Sequence, residues 1–208
     1  MLRIDHVVLA TTDLSHGQDQ LWRGYGLASA PGGRHLAWGT ANMIIPIGEQ
    51  YLELVAVTDP ELAAASLLGR AVLAAADRDR VTPIAVCLVA SDLELTSKRL
   101  GTPGESGARE RPNGSQIRWT TVGLAQAFGA ARLPFYIRWE DPLQHPSTLP
   151  AEHRIAVREI AEVGVGGPEP VLASHLAEPA AGIRPVGGVA GLRFVTLRLA
   201  DGAEVRIA

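Results

Sequence analysis

The stretch 3-RIDHVVLATTDLSHGQDQLWRG-24 decides the fold, because a second stretch, 83-PIAVCLVASDLELTSKRLG-101, repeats its pattern. Each begins with an apolar run typical of a buried strand, continues through polar residues that cap a helix, and ends at a glycine. The pair Asp13-Leu14 of the first copy aligns with Asp92-Leu93 of the second. The period of about 80 residues is too long for a solenoid repeat and indicates a duplicated module.

Both copies continue into further strands after the helix. The first copy has a Gly-rich loop at 31–35, and the second has a Gly- and Pro-rich loop at 101–114. The predicted strands that follow lie at 36–42, 43–48 and 50–57 in the first copy, and at 115–122 and 133–141 in the second. Each copy is therefore a βαβββ module. An Ala/Leu-rich helix over residues 60–80 is expected to connect the two modules.

A third, poorer copy closes the chain after a polar, Pro-rich loop at 142–153. It has a predicted strand at 154–165, a Pro-started helix at 168–178 and a hairpin at 191–208 around Asp201-Gly202. We therefore predict an α+β protein with tandem βαβββ modules and a degenerate third unit. The expected division places the paired modules, 3–58 and 83–141, within residues 1–146, and a C-terminal unit packed on them within residues 147–208.

Composition limits the classes of function. The net charge is −3, the pI is near 6.1, and arginines alternate with acids, as in 105-ESGARER-111. There is no basic stripe with aromatic platforms, which argues against a nucleic-acid partner. The N-terminus lacks a signal peptide and the apolar runs are too short for a membrane span, so we expect a cytoplasmic protein. The one cysteine, Cys87, lies in an apolar run and is expected to be a buried structural thiol.

Two ionisable residues interrupt the apolar strands of the first module. His6 lies in the first predicted strand and Glu53 in the last. A titratable side chain within an apolar strand usually has a specific partner, and a shared pocket would supply one. The alternatives are that both residues face solvent on an open sheet, or that they pair with Arg3 or Arg34.

The motifs 4-IDHVVLATTDL-14, 32-GGRHLAWGTAN-42 and 51-YLEL-54, in a duplicated βαβββ pattern, resemble the glyoxalase-like domain branch of the vicinal oxygen chelate superfamily. The resemblance implies sheets that curl into a half-open cup with a concave pocket. It also implies a divalent metal (Zn²⁺, Fe²⁺, Mn²⁺ or Ni²⁺) held by the first and last strands of each module. His6 and Glu53 occupy those positions in the first module. Ala85 and Phe135 occupy them in the second, and neither can ligate a metal.

Three residues of the segment after Gly32-Gly33 are expected at the cup. His35 is a third metal ligand, a hydrogen-bond donor to substrate, or an ordinary loop histidine. Strand alternation predicts that Trp38 shares a face with Asn42 rather than with His35. We interpret His35 as catalytic together with His6 and Glu53, and Trp38 and Asn42 as substrate-binding.

The second module is expected to supply an apolar wall. Alternation in 135-FYIRWEDPLQHP-146 places Phe135, Ile137 and Trp139 on one face. Core packing explains Phe135 and Ile137, whereas Trp139 near the rim can stack on a ligand. His145 follows on a loop near the same rim, where it is either a replacement ligand or a surface histidine. We assign Phe135, Trp139 and His145 to substrate binding.

Two classes of function suit these residues. As an enzyme, the protein would use Glu53 as a general base on an acidic C–H while His6 or His35 polarises a neighbouring oxygen, which is lyase or isomerase chemistry on an oxygen-rich metabolite. The alternative is a non-catalytic protein of the same fold that binds or sequesters a small molecule. A structural dimerisation module is a third interpretation. The expected partner is a small molecule, with a homodimer left open, and the cofactor is one divalent metal or none.

Overall fold

The computed structural model describes residues 1–111 and 113–208, and its first part follows the predicted order of strand, helix and strands. Strand β1 (Arg3–Ala10) leads into helix α1 (Leu14–Tyr25). Asp13 caps this helix by accepting a hydrogen bond from the backbone N–H of His16, and Gly26 ends it in a left-handed conformation. The strands that follow are β2 (Ala30–His35), β3 (Thr40–Ile47) and β4 (Gln50–Val57).

The second part repeats this order after two short helices, α2 (Pro60–Ala65) and α3 (Leu67–Ala75). Asp92 caps its main helix through the backbone N–H of Leu95, as Asp13 does in the first part. The elements are strand β5 (Thr82–Val89), helix α4 (Leu93–Leu100), strands β6 (Glu105–Glu110) and β7 (Gln116–Val122), helix α5 (Leu124–Phe128) and strand β8 (Phe135–Trp139).

Strands β1 to β8 form a closed barrel in the order β1-β4-β3-β2-β6-β7-β8-β5. The two halves of the chain meet at two seams, where β1 pairs with β5 and β2 pairs with β6. The half-open sheet that the resemblance implied is therefore closed here, through a pairing of Arg34 with Glu110. Gly33 permits this closure, because a side chain at that position would overlap the carbonyl oxygen of Glu110.

The Gly-rich segments that we predicted as loops are strands at this seam. Residues 31–35 form most of β2, whereas residues 36–39 of the predicted strand 36–42 form a turn. The predicted loop 101–114 contains β6, and its Pro112 lies outside the described residues. Gly33 of β2 is required by the close approach of the β6 backbone, and Gly107 of β6 leaves room for the ring of Trp119, so these two glycines are not turn signals. The predicted connecting helix also breaks at Ser66, whose hydroxyl caps α3.

The C-terminal part forms a second sheet in the order β10-β9-β11-β12. Its elements are β9 (Val157–Gly166), helix α6 (Glu169–Leu176), β10 (Ile183–Val186), β11 (Gly191–Leu199) and β12 (Glu204–Ile207). Val86 and Leu88 of β5 share one buried apolar cluster with Val163 and Val195 of this sheet, which therefore packs on the outside of the barrel. No helix in the described part of the chain is long and apolar enough to cross a membrane.

Gly33 provides a test of barrel closure. A Cβ at this position would also lie 2.8 Å from Arg109 Cγ, so we expect Gly33→Ala to lower the free energy of unfolding by about 2 kcal/mol or more. Gly24 in α1 is the matched control, because a Cβ there meets nothing within 4 Å, and Gly24→Ala should stabilise the helix by about 0.5 to 1 kcal/mol. Urea unfolding measures both variants. Equal midpoints would show that the seam tolerates a side chain.

Candidate functional site

Strand alternation directs His6 and Glu53 into the barrel. Strands β1 and β4 run parallel, with His6 opposite Tyr51 and Val8 opposite Glu53. The intervening residues, such as Leu52, belong to the apolar cluster outside the barrel. His6 is 3% exposed and Glu53 is 9% exposed. The two ionisable residues therefore lie on one interior face, which is enclosed rather than open to solvent.

Glu53 lies between two histidine rings. Its Oε2 is 3.6 Å from His6 Nε2, and its Oε1 is 3.6 Å from His35 Nε2. Both distances are too long for hydrogen bonds. Asn42 Nδ2 donates a hydrogen bond of 2.5 Å to Oε1, while no hydrogen bond from residues 1–111 or 113–208 reaches Oε2. The carboxylate is thus held through one oxygen, and the other faces the interior.

A β-bulge places Asp5 beside His6. The register of β1 against β5 shifts just before His6, which redirects a side chain. His6 Nδ1 donates to Asp5 Oδ1 at 2.6 Å, and His145 Nε2 and Trp139 Nε1 lie 3.2 and 3.1 Å from Oδ2. Burial acts to raise the pKa of Asp5, but the hydrogen bonds from His145 and His6 outweigh it and hold that pKa well below its ordinary value. Because Nδ1 donates to Asp5, Nε2 is the ring nitrogen of His6 that faces Glu53 and the cavity.

His35 lies on the other side of Glu53. Its Nδ1 is 3.0 Å from Thr40 Oγ1, and its ring contacts the edge of Trp119. Burial lowers the pKa of His35 to about 4, with help from the positive charge of Arg109 and against the opposing effect of Glu53. His35 is therefore neutral near pH 7. That is the state required of a metal ligand or of a neutral hydrogen-bond donor to a carbonyl oxygen.

An arginine orients the amide that holds Glu53. Arg109 of β6 donates from Nη1 to Asn42 Oδ1 at 3.2 Å. Because a guanidinium has donors and no acceptor, Asn42 must turn its oxygen to Arg109 and its NH₂ to Glu53. Burial lowers the pKa of Arg109, and Tyr51 and Glu53 oppose that shift. The guanidinium stays charged, so the site contains an ordered series from a cation through an amide to a carboxylate.

A cavity of about 40 Å³ lies beside Glu53 and is walled largely by aromatic and aliphatic side chains. It has room for a few waters or a small ligand group. The ring of Trp119 lies 6.3 Å from Trp38 and 5.4 Å from Trp139, measured between centroids. Leu68 of α3 also lines the cavity. Such walls exclude bulk water and strengthen the electrostatic interactions of the polar groups.

The second half of the chain offers no metal ligand at the equivalent positions. Strand β8 pairs with β5 so that Phe135 lies opposite Cys87, as Glu53 lies opposite Val8 in the first half. Phe135 and Ala85 belong to the apolar cluster inside the barrel. A metal site here would therefore depend on the first half of the barrel.

The donor atoms around Glu53 are of the types that bind divalent ions, although each histidine nitrogen lies 3.6 Å from a different oxygen of Glu53. His6 Nε2, His35 Nε2 and a Glu53 oxygen are ligand atoms that suit transition metals, and each ring is held at Nδ1, as the rings of metal-binding histidines usually are. A second group, Asp5, His6 and Cys87, has ligand atoms within 4.8 Å of one another. Asp5 already accepts hydrogen bonds on both oxygens, and burial raises the pKa of Cys87 well above its ordinary value, so its thiol stays protonated. We assign this second group to the support of His6.

Most of the residues that the sequence indicated line the cavity, namely His6, His35, Trp38, Asn42, Glu53, Phe135 and Trp139. Trp38 differs from expectation in its position, because it lies in the turn 36–39 and so shares the cavity with His35. His145 does not line the cavity in the described part of the chain and lies behind His6, bonded to Asp5. Arg3 is 3.8 Å from the exposed Glu49 and is not the partner of His6 or Glu53.

Sequence reasoning missed Asp5, Arg109 and Trp119. Asp5 adjoins His6, and strict alternation would have directed it outward, so the bulge was needed to find it. Arg109 lies in 105-ESGARER-111, where charges alternate as they do on an exposed surface, so the sequence did not distinguish it from a surface arginine. Trp119 was detectable, because it alternates with Ile117 and Thr121 along β7, and that pattern predicts an inward face.

The lowered pKa of His35 predicts a loss of stability on mild acidification. Between pH 7 and pH 5 the unfolded chain binds a proton at this residue and the folded protein does not, so stability falls with pH. With a folded pKa of about 4, His35 should account for about 2 kcal/mol of that loss. His35→Gln retains a hydrogen-bond partner for Thr40. Its free energy of unfolding, measured with urea at pH 7 and at pH 5, should fall by about 2 kcal/mol less than that of the wild type. An identical loss in the variant would contradict a neutral His35.

Comparisons with solved structures agree with this architecture. A hypothetical protein from Staphylococcus aureus is similar over 100% of this chain and 99% of its own, with a TM-score of 0.76 and 16% identity, which shows the fold. Methylmalonyl-CoA epimerases from Streptomyces coelicolor and Mycobacterium tuberculosis each match 65% of this chain at 16% identity. The matches cover 95% and 85% of the two epimerase chains, with TM-scores of 0.46 and 0.44. These scores are too low to support a further argument. Among curated protein sequences, none matches this chain.

The match to a family profile is stronger evidence of family membership than these structural similarities. The profile described as the glyoxalase-like domain matches residues 4–180, which include the barrel except for Arg3 and, from the second sheet, strand β9. The matched range contains His6, His35, Glu53 and Arg109. The chain belongs to the glyoxalase-like domain family.

Proposed function

We propose that the protein is an enzyme that moves a proton on a small, oxygen-rich metabolite, as isomerases and lyases do. The observation that carries the proposal is the state of Glu53. Asn42 holds Oε1, and Oε2 faces the cavity without a hydrogen-bond donor from residues 1–111 or 113–208. A carboxylate oxygen in this position has a free lone pair where a substrate would lie, and the aromatic walls limit competition from water.

In the first step of this chemistry, Glu53 Oε2 takes a proton from a carbon next to a carbonyl group. The C–H bond breaks, an O–H bond forms on Glu53, and the electron pair moves to the carbonyl oxygen to give an enolate. Delivery of a solvent proton to the same carbon on its other face, while Glu53 releases its own proton to solvent, completes an epimerisation. Where that carbon carries a hydroxyl group, the hydroxyl proton moves to the former carbonyl oxygen, and return of the Glu53 proton to the former carbonyl carbon completes a carbonyl shift. Expulsion of a leaving group from the enolate would complete an elimination.

The residues around Glu53 suit the positioning that this step needs. Neutral His35 can donate a hydrogen bond to the oxygen on which charge develops. Asp5 holds His6 in one orientation and tautomer, with Nε2 directed at the cavity. His6, His35 and Glu53 would also hold a divalent ion, which when bound supplies Lewis-acid stabilisation of a substrate oxygen.

Solvent exchange across a panel of carbonyl compounds tests the proposal. Small ketones, hydroxyketones and oxo acids are incubated with the protein in D₂O, and proton NMR follows the loss of the C–H signal next to each carbonyl. We expect enzyme-dependent exchange for at least one compound and a decrease of roughly 10² to 10⁴-fold in Glu53→Gln, because the general base is lost.

Glu49→Gln is the matched control for that experiment, because Glu49 lies on the same hairpin with its side chain 93% exposed. It should exchange at the wild-type rate. Full activity in Glu53→Gln would exclude Glu53 as the base. Absence of exchange across the panel, with saturable binding of one of the compounds, would favour a binding or sequestering protein of the same fold.

Metal binding tests the convergence of His6, His35 and Glu53 separately from activity. Calorimetry on chelator-treated protein should detect one Ni²⁺ or Zn²⁺ per chain, with binding lost in a His6→Ala, Glu53→Ala double variant. Asp5→Asn should weaken binding by roughly 10 to 100-fold, because Asp5 orients His6 through Nδ1. His16→Ala, at an exposed histidine, is the control. Unchanged affinity in the double variant would place the ion elsewhere.

A further inference from the structure

Arg109 is a buried cation whose donors are not all used. The residue is 3% exposed, and its side chain crosses the β2–β6 seam next to Gly33. Its Nη1 donates to Asn42. With the acceptors of residues 1–111 and 113–208, neither its Nε nor its Nη2 forms a hydrogen bond. A buried charged donor without a partner is costly to the folded protein, so its retention calls for an explanation.

The two free donors have a defined geometry. Nε and Nη2 are the pair on one edge of the guanidinium plane, with N–H bonds that point in parallel. That edge matches the two oxygens of a carboxylate, which it binds with two hydrogen bonds. Glu53 does not fill this role, because Asn42 stands between it and Arg109 and bonds to both.

The position of Arg109 connects it with the base. It lines the cavity beside Glu53 and also a larger pocket of about 280 Å³ at the β2–β6 seam, where Gly32, Leu149 and Arg111 are among its neighbours. A ligand group bound to Arg109 would therefore lie between the outer pocket and the carboxylate of Glu53. Arg111 adds positive charge on the outer side, which favours the entry of an anion.

We propose that Arg109 binds the carboxylate of the substrate through Nε and Nη2, so that the substrate is a small oxo- or hydroxy-carboxylate. This inference rests on the proposed role of Glu53 as the base. One asparagine side chain separates Arg109 from Glu53, so the bound carboxylate and the carbon that reacts would lie toward opposite ends of a short substrate. Arg109 thus selects the substrate class and, through Asn42, also positions the base.

Binding of simple probes tests the inference directly. Glycolate and glycolamide have nearly the same size, and only glycolate has a carboxylate. We expect glycolate to bind at least 10-fold more tightly in calorimetric titrations and to shift the Arg109 Nε–H signal in ¹H–¹⁵N NMR spectra. Arg109→Lys should weaken glycolate binding by roughly 10 to 100-fold, because lysine keeps a charge but lacks the planar fork.

Arg138→Met is the control variant, since Arg138 is exposed on β8, and it should bind glycolate as the wild type does. Near-UV circular dichroism establishes whether Arg109→Lys keeps its fold, and the glycolate–glycolamide comparison in the wild type decides the matter if it does not. Equal affinities for the two probes, no saturable glycolate binding, or unchanged affinity in folded Arg109→Lys would overturn the inference. Tighter binding of inorganic phosphate than of glycolate would overturn the carboxylate assignment.

Glu53→Gln separates this inference from the proposed function. Glycolate should still bind to that variant, because Arg109 is intact. Carboxylate binding without exchange of any compound would refute the enzymatic role and leave the anion site standing. Exchange confined to neutral carbonyl compounds, with no selective binding of acids, would leave the base standing and refute the role of Arg109.

Discussion

The burial of the Glu53 carboxylate inside an apolar barrel is the constraint on which the site depends. A buried carboxylate must be matched by donors, and Asn42 supplies one of them. Asn42 can offer its NH₂ in that direction because Arg109, which has no acceptor, occupies its oxygen. Arg109 therefore sets the orientation of Asn42, and Asn42 holds Oε1 of Glu53. The other oxygen of Glu53, Oε2, is left to face the cavity.

The same order depends on the closure of the barrel at both seams. Arg109 comes from the second half of the chain and reaches Asn42 across the β2–β6 seam, where Gly33 removes the steric obstacle. At the other seam, Asp5 accepts hydrogen bonds from His6 in the first half and from Trp139 in the second. The two halves are unequal in chemistry, because the first supplies the Glu53 carboxylate with His6 and His35, while the second supplies the Arg109 cation and much of the aromatic wall.

Much of the fold could be predicted from the sequence, because it depends on local sequence patterns. The two apolar runs that became β1 and β5, and the aspartates that cap α1 and α4, have signals within a few residues of one another. The prediction failed where a local signal had a distant cause. The glycines of β2 suggested a turn, although they are present because the backbone of β6 passes close to them.

The register of β1 against β4 placed His6 and Glu53 on one face, but the sequence by itself determined which residues within each strand share a face, since alternation along a strand follows from backbone geometry. It also determined that the second half lacks ligands at the equivalent positions, because Ala85 and Phe135 have no donor atoms for a metal. Tertiary structure decided the rest. The bulge that turns Asp5 inward and the seam that carries Arg109 to Asn42 depend on contacts between segments far apart in the chain. No local sequence pattern encodes such contacts, because they form and stabilise the protein only when the barrel closes.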